Sequence, residues 1–171
     1  MSTTTVKTEQ DTSHGRKFAP ISAITSTFHE HTAPVAHDCV RLIFVRAGSA
    51  VLLSEFGERR VAFGDVVALA SNTLCGGEPE GHVTITSLYL DPDYMVDQVF
   101  WQYAAVVSDR LHAQQFAKTI YTEAARVMHL GEQRAGMLMP WLDELVALSI
   151  DGATTQRFYG RRLSCSPCSM S

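Results

Sequence analysis

Four cysteines and seven histidines are the side chains of this sequence that could hold a metal or act as nucleophiles. The cysteines stand at Cys39, Cys75, Cys165 and Cys168, and the last two form a Cys-x-x-Cys pair in "GRRLSCSPCSMS". A redox pair of that spacing needs a helix N-terminus after a strand, and a zinc site needs a second pair. Neither context surrounds it. Cys39 lies in an apolar run and reads as a small buried hydrophobe. Cys75 and His37 have the residue types of a thiolate-imidazole nucleophile pair, but nothing in the sequence supplies an oxyanion hole or an orienting third group. His29 and His31, in "HEH", resemble a metal pair, yet they stand in a polar loop and read as solvated. The histidines at 14, 82, 112 and 129 form no pair at helical metal spacing, so no catalytic residue is assigned.

The elements that must position these groups change character along the chain. Residues 1–18 are too polar to join a core and read as a disordered arm. From Ile21 to Leu90 come short apolar runs: "AITSTF" (23–28), "CVRLIFVRA" (39–47), "AVLLSEF" (50–56), "RRVAF" (59–63), "DVVALA" (65–70) and "HVTITSLYL" (82–90). Turns are expected at "AGS" (47–49), "FGE" (56–58), "FGD" (63–65) and "CGGEPEG" (75–81). Many short strands with no helix between them predict a mainly β sandwich or barrel. After residue 91 the period changes. Asp91 is a plausible N-cap and Pro92 a first helical residue, so "DPDYMVDQVFWQYA" predicts a helix. Residues 111–130 are mixed, with "KTIYT" favouring an extended piece. In 131–152, Leu138, Leu142, Leu145 and Leu148 fall on one stripe, read first as packing on the β core and second as a dimer seam. Pro140 within it implies a kink or a late helix start.

At 171 residues the chain fits one domain with a sizeable core. Its net charge of −4 opposes direct nucleic-acid binding. The N-terminus lacks the apolar stretch of a signal peptide, and no run approaches the roughly 18 apolar residues of a membrane span. The expectation is a cytoplasmic protein with no membrane partner.

The order of "LIFVRAGSAVLL", "RRVAFGDVVALASNT", "LYLDPDYMVDQVFW" and "PWLDELVALS" resembles the N-terminal sensing and dimerisation domain of AraC-type transcription regulators. That resemblance implies a cupin-like jelly-roll barrel over 19–91, followed by a helical packing and dimerisation region over 92–150. It further implies a small-molecule effector in the barrel, a sugar or small carboxylate, and a homodimer through the C-terminal helices. Residues 151–171 hold no periodic pattern and no helix-turn-helix pair, and read as an out-of-frame ending of a truncated regulator.

Metal-binding cupins resemble one another in a four-ligand set of three histidines and a glutamate. With Gly48 and Gly64 as anchors, the glutamate position falls on Arg41 and the two histidines of the first motif fall on Val35 and His37. The last histidine falls on Cys75. One ligand of the four survives, and Arg41 would repel a cation, so neither metal nor cofactor is expected. What remains is a barrel mouth with His37, Arg41 and Cys75 as ligand-binding residues. Arg41 faces away from Val40 and Leu42 on its strand. It is either a solvent-facing residue or the anchor of a carboxylate or hydroxyl-rich effector. A small cupin enzyme, a metal-dependent isomerase or oxygenase, is the alternative, and an interaction protein with an empty barrel is the third reading.

Overall fold

The computed structural model describes residues 20–120 and 123–150. The expected arm and the expected irregular tail, with Cys165 and Cys168, lie outside the described residues. Seven strands and three helices follow in order: β1 Ile21–Phe28, β2 Thr32–Val35, β3 Val40–Ser54, β4 Gly57–Ala62, β5 Asp65–Leu69, β6 Cys75–Leu90, α1 Pro92–Gln102, α2 Arg110–Ile120, β7 Ala125–His129 and α3 Glu132–Ile150. The protein is mainly β with helices after the strands, as the run pattern predicts.

One antiparallel sheet runs in the order β1-β6-β3-β5-β7, with β2 added to β6 and β4 to β3. Its two long strands, β3 of 15 residues and β6 of 16, pair along nearly their whole length. Both Phe28 on β1 and Val127 on β7, at opposite ends of that order, pack against a single cluster built on Ile43, Val45, Val67 and Val83. The sheet therefore rolls around that cluster as a barrel. Strand alternation does the sorting. Ile43 and Val45 face the barrel interior, whereas Leu42 and Phe44 face outward and pack with Ala23, Leu88 and Leu142 under α3.

Several expected boundaries move. Residues 47–49 form no hairpin, because Gly48 takes φ 73° inside a bulge and β3 continues as one bent strand. The stretch 75–81 is strand, not turn: its Cys75 and Gly77 pair with both β3 and β2. β2 itself was not expected, being four residues in a polar setting. The region 92–150 is not wholly helical, because β7 returns to pair with β5 and closes the barrel's far edge. The extended piece is thus 125–129, while α2 runs through Ile120.

The helix after Asp91 starts as expected, with Pro92 at its first position and the Asp91 carboxylate accepting from Tyr94 N at 3.0 Å. α1 and α2 enclose a small cluster of their own around Val99, Val107 and Ala113. Arg110 bridges Asp93 and Asp97 across them, each at 3.1 Å. α3 begins at Glu132 and runs through Pro140, so the proline does not delay its start. Of the leucine stripe, Leu142 is buried against Ala23 and Leu88 with Leu145 beside it, and Leu138 and Leu148 are half-buried. Met137 and Trp141, on the flank of that stripe, are 70% and 59% exposed. No helix among the described residues is long and apolar enough to cross a membrane.

A candidate ligand site inside the barrel

Arg41 shares the inner face of β3 with Ile43 and Val45, and it pairs in register with Tyr89 of β6 and Leu69 of β5. It is not a solvent-facing strand residue. Its Nη2 donates to Ser87 Oγ at 3.1 Å, and its guanidinium lies over the Tyr89 ring, 5.4 Å from the centroid. The His37 ring meets the same tyrosine edge-on at 5.3 Å. Arg41 Nε is buried and finds no acceptor among the described residues. A buried N–H of a charged group without a partner is costly, and native structures seldom keep one without a use.

His37 lies just before β3, and its carbonyl accepts from Asn72 N at 2.6 Å. Asn72 holds φ 61°, a left-handed conformation that asparagine tolerates. Cys75 opens β6, pairs with Val35 of β2, and is 6% exposed. Its Sγ–H donates weakly to Gly76 O at 3.6 Å. Burial pushes the Cys75 thiol above the ordinary range, and the Arg41 charge partly offsets that rise.

His37, Arg41 and Cys75 line one cavity of about 210 Å³. The rest of its wall is mostly apolar, with Ile43, Val45, Leu52, Val61, Val83 and Ile85 prominent. The β2 residues Thr32, Ala33 and Val35 cover one side. Thr32 is fixed there by Gly77, whose N–H donates to Oγ1 at 3.0 Å and whose carbonyl accepts from it at 3.2 Å. Ser87 and Tyr89, which hold the arginine in place, were not singled out from the sequence. The alternation of "VTITSLY" does put both on the face of Val83 and Ile85, but only the pairing of β6 with β3 brings that face to Arg41.

The residues present do not fit a metal. Two potential ligands, His37 and Cys75, share the cavity with a guanidinium, and among the described residues no three His, Cys, Asp or Glu side chains gather as a metal site. The Cys75 and His37 pair likewise has no carboxylate among the described residues hydrogen-bonded to the imidazole, whose ring packs on Tyr89. What the arrangement can do is bind: one fixed cation in the wall of a small, mostly apolar chamber.

No protein-family model matches the sequence, and no curated protein matches it. Solved structures do. The chain shares its fold with ToxT from Vibrio cholerae, an AraC-family regulator. An apo form of ToxT from strain SCE256 superposes with a TM-score of 0.55 at 10% identity, over 85% of this chain and 59% of that one. ToxT from Vibrio cholerae O395 bound to (E)-4-(8-methylnaphthalen-1-yl)but-3-enoic acid gives 0.55 at 7% identity, over 85% and 54%. Wild-type ToxT of strain SCE256 with an unsaturated fatty acid gives 0.50 at 12%, over 84% and 52%. The chain thus spans a little more than half the length of the ToxT chains it matches. At these identities the likeness establishes the architecture, a cupin-like barrel followed by helices.

Proposed function

We propose that this chain is the effector-sensing module of an AraC-type transcription regulator, binding a small molecule inside its barrel rather than catalysing a reaction. The observation that carries the reading is Arg41, a cationic side chain in the wall of a mostly apolar chamber with room for a ligand, whose hydrogen-bonding capacity is not all used within the protein. A carboxylate effector pairs with that guanidinium by a charge-assisted hydrogen bond. The likeness to ToxT supports the reading, since two of the matching ToxT structures hold a carboxylic acid. The module pairs with a second copy through α3, where the exposed Met137 and Trp141 flank the packed stripe and give the contact an apolar centre.

The test is a thermal-shift and calorimetric screen of sugars and small carboxylates on the purified chain, wild type and Arg41→Gln. A ligand at a hundred times its Kd raises stability by about 2.7 kcal/mol. One ligand class should stabilise the wild type and lose that effect in Arg41→Gln. Ligands that stabilise both proteins equally, or none that stabilises either, would sink the reading.

A further inference from the structure

We propose that the effector is a monocarboxylate whose apolar part is the size of a single benzene ring or a short unbranched alkyl chain. This rests on the reading that the barrel binds an effector at all. Three features of the cavity decide the class.

The first is charge. Arg41 is the one cationic side chain in the lining among the described residues. Its Nη2 donates to Ser87 and its guanidinium lies over Tyr89, so the charge is held in place at the chamber wall with donors beyond the one that Ser87 uses. A planar carboxylate matches a guanidinium so placed. A dicarboxylate would place a second anion against Ile43, Val45 and Val83 with no cation to meet it.

The second is the scarcity of other polar partners. Thr32 Oγ1 is engaged at both its donor and acceptor by Gly77, and the Cys75 thiol points to the Gly76 carbonyl. Beyond His37 and Arg41, the hydroxyls of a sugar would therefore find few side-chain partners, and each buried group left unpaired carries its desolvation cost. This argues against the sugar half of the effector class.

The third is size. An apolar protein cavity of about 150 Å³ binds benzene, and a water molecule occupies about 30 Å³. A chamber of about 210 Å³ accordingly takes one ring and a carboxylate. A long-chain fatty acid exceeds that volume and would have to extend beyond it.

The experiment is isothermal calorimetry on the full chain with benzoate, hexanoate, hexadecanoate, succinate, xylose and benzyl alcohol. Benzoate and hexanoate should bind best, and benzyl alcohol, which keeps the ring but not the charge, should bind about tenfold or more weakly. Arg41→Gln should weaken benzoate by a similar factor. Ala50→Leu, which adds bulk to the chamber wall, should abolish benzoate binding while the variant still unfolds in one cooperative melt. If xylose, succinate or hexadecanoate binds more tightly than benzoate and does so through Arg41, the sensing barrel stands and the ligand class is overturned. If none of the six binds, both fail.

Discussion

Arg41 and Ser87, 46 residues apart in sequence, meet across β3 and β6 with Nη2 donating to Oγ at 3.1 Å, and this bond leaves Arg41 Nε with no acceptor. The side chain is held in place by one partner and one ring while part of its hydrogen-bonding capacity is buried unused. Replacing a buried, incompletely paired charge by an apolar side chain of similar length is often neutral or stabilising. Arg41→Met is therefore expected to raise stability by about 1 kcal/mol, roughly 3 °C for a chain of this size, while abolishing carboxylate binding. Paired thermal melts with and without benzoate measure both. A variant that melts several degrees lower than wild type would mark Arg41 as a structural residue and not a binding one.

Gly76 and Gly77 are adjacent on β6, yet they should respond differently to a methyl group. A Cβ on Gly76 runs into the backbone of Thr32 and Pro34, neither of which can yield without moving β2. A Cβ on Gly77 meets only ordinary contacts, the nearest being Val51 O at 3.7 Å. Gly76→Ala is expected to cost about 1–3 kcal/mol by chemical denaturation and to weaken ligand binding, because β2 walls the cavity. Gly77→Ala should cost well under half as much. Equal effects of the two would mean that β2 is not held at this point.

The same two glycines explain why part of the site could not be read in advance. "CGGEPEG" carries every local mark of a turn, and local marks lose where a long partner strand pairs with most of the segment, here residues 75–79. Likewise "AGS" looks like a hairpin, but Gly48 absorbs its bend as a bulge and lets β3 continue. Elements set by nearest neighbours were legible: Asp91 capping α1 with Pro92 behind it, and the alternation that turns Arg41 away from Val40 and Leu42. Ser87 and Tyr89 were not, because their role depends on which strand lies next to β6. β7 was hidden for the same reason, since "ARVMH" acquires its strand character from β5. His37, Arg41 and Cys75 could be named from a motif alignment, but their shared chamber and the spare Nε are facts of three dimensions.

Arg46 ties the outer face of the barrel to α3. Its Nη1 contacts Asp143 at 2.6 Å and approaches the hydroxyls of Thr25 and Thr86 at 3.4 Å. The bond from Arg46 holds the Asp143 carboxyl below its ordinary range. A carboxyl depressed in the folded state contributes stability above its unfolded pKa, and that contribution is lost as pH falls through the folded value. Asp143→Asn is therefore expected to lower the melting temperature slightly at neutral pH and to match wild type once the pH is below the usual aspartate range. Thermal melts of the two proteins across acid pH follow the difference. A gap that persists unchanged into strong acid would show that the Arg46 charge pair is not its source.

Ser149 fastens the other side of α3, where its Oγ accepts from Ala23 N at 2.8 Å and donates to Leu145 O at the same distance. Ser149→Ala leaves the Ala23 amide, on a buried residue of β1, without that acceptor. The expected loss is about 1–3 kcal/mol by denaturant unfolding, more than removal of an exposed serine such as Ser22. Hydrogen exchange at Ala23 should accelerate in the variant. If it does not, the amide has found another partner and α3 docks without help from Ser149, by its apolar contacts with Leu88 and Ala23 and the Arg46 pair with Asp143.

Cys75 reports on the chamber from within. Burial raises its thiol pKa and the Arg41 charge lowers it, with burial the larger effect. At neutral pH its alkylation by iodoacetamide should be slow and should quicken as pH rises through the thiol range, since only the thiolate reacts. Arg41→Met removes the offsetting charge, so the pKa climbs further and labelling slows, each pKa unit being about tenfold in thiolate. Benzoate should slow it again in the wild type by filling the chamber. The stability effect has the opposite sense to that of Asp143. A thiol whose pKa is raised by folding keeps its proton while the unfolded chain loses it, so stability falls as pH rises above the unfolded value. Cys75→Ala should blunt that alkaline loss. Cys39 has a thiol raised by burial as well and acts in the same sense. Mass-mapped labelling separates Cys75 from the other three cysteines. Fast labelling of Cys75 that is indifferent to both Arg41→Met and benzoate would place its thiol outside the site.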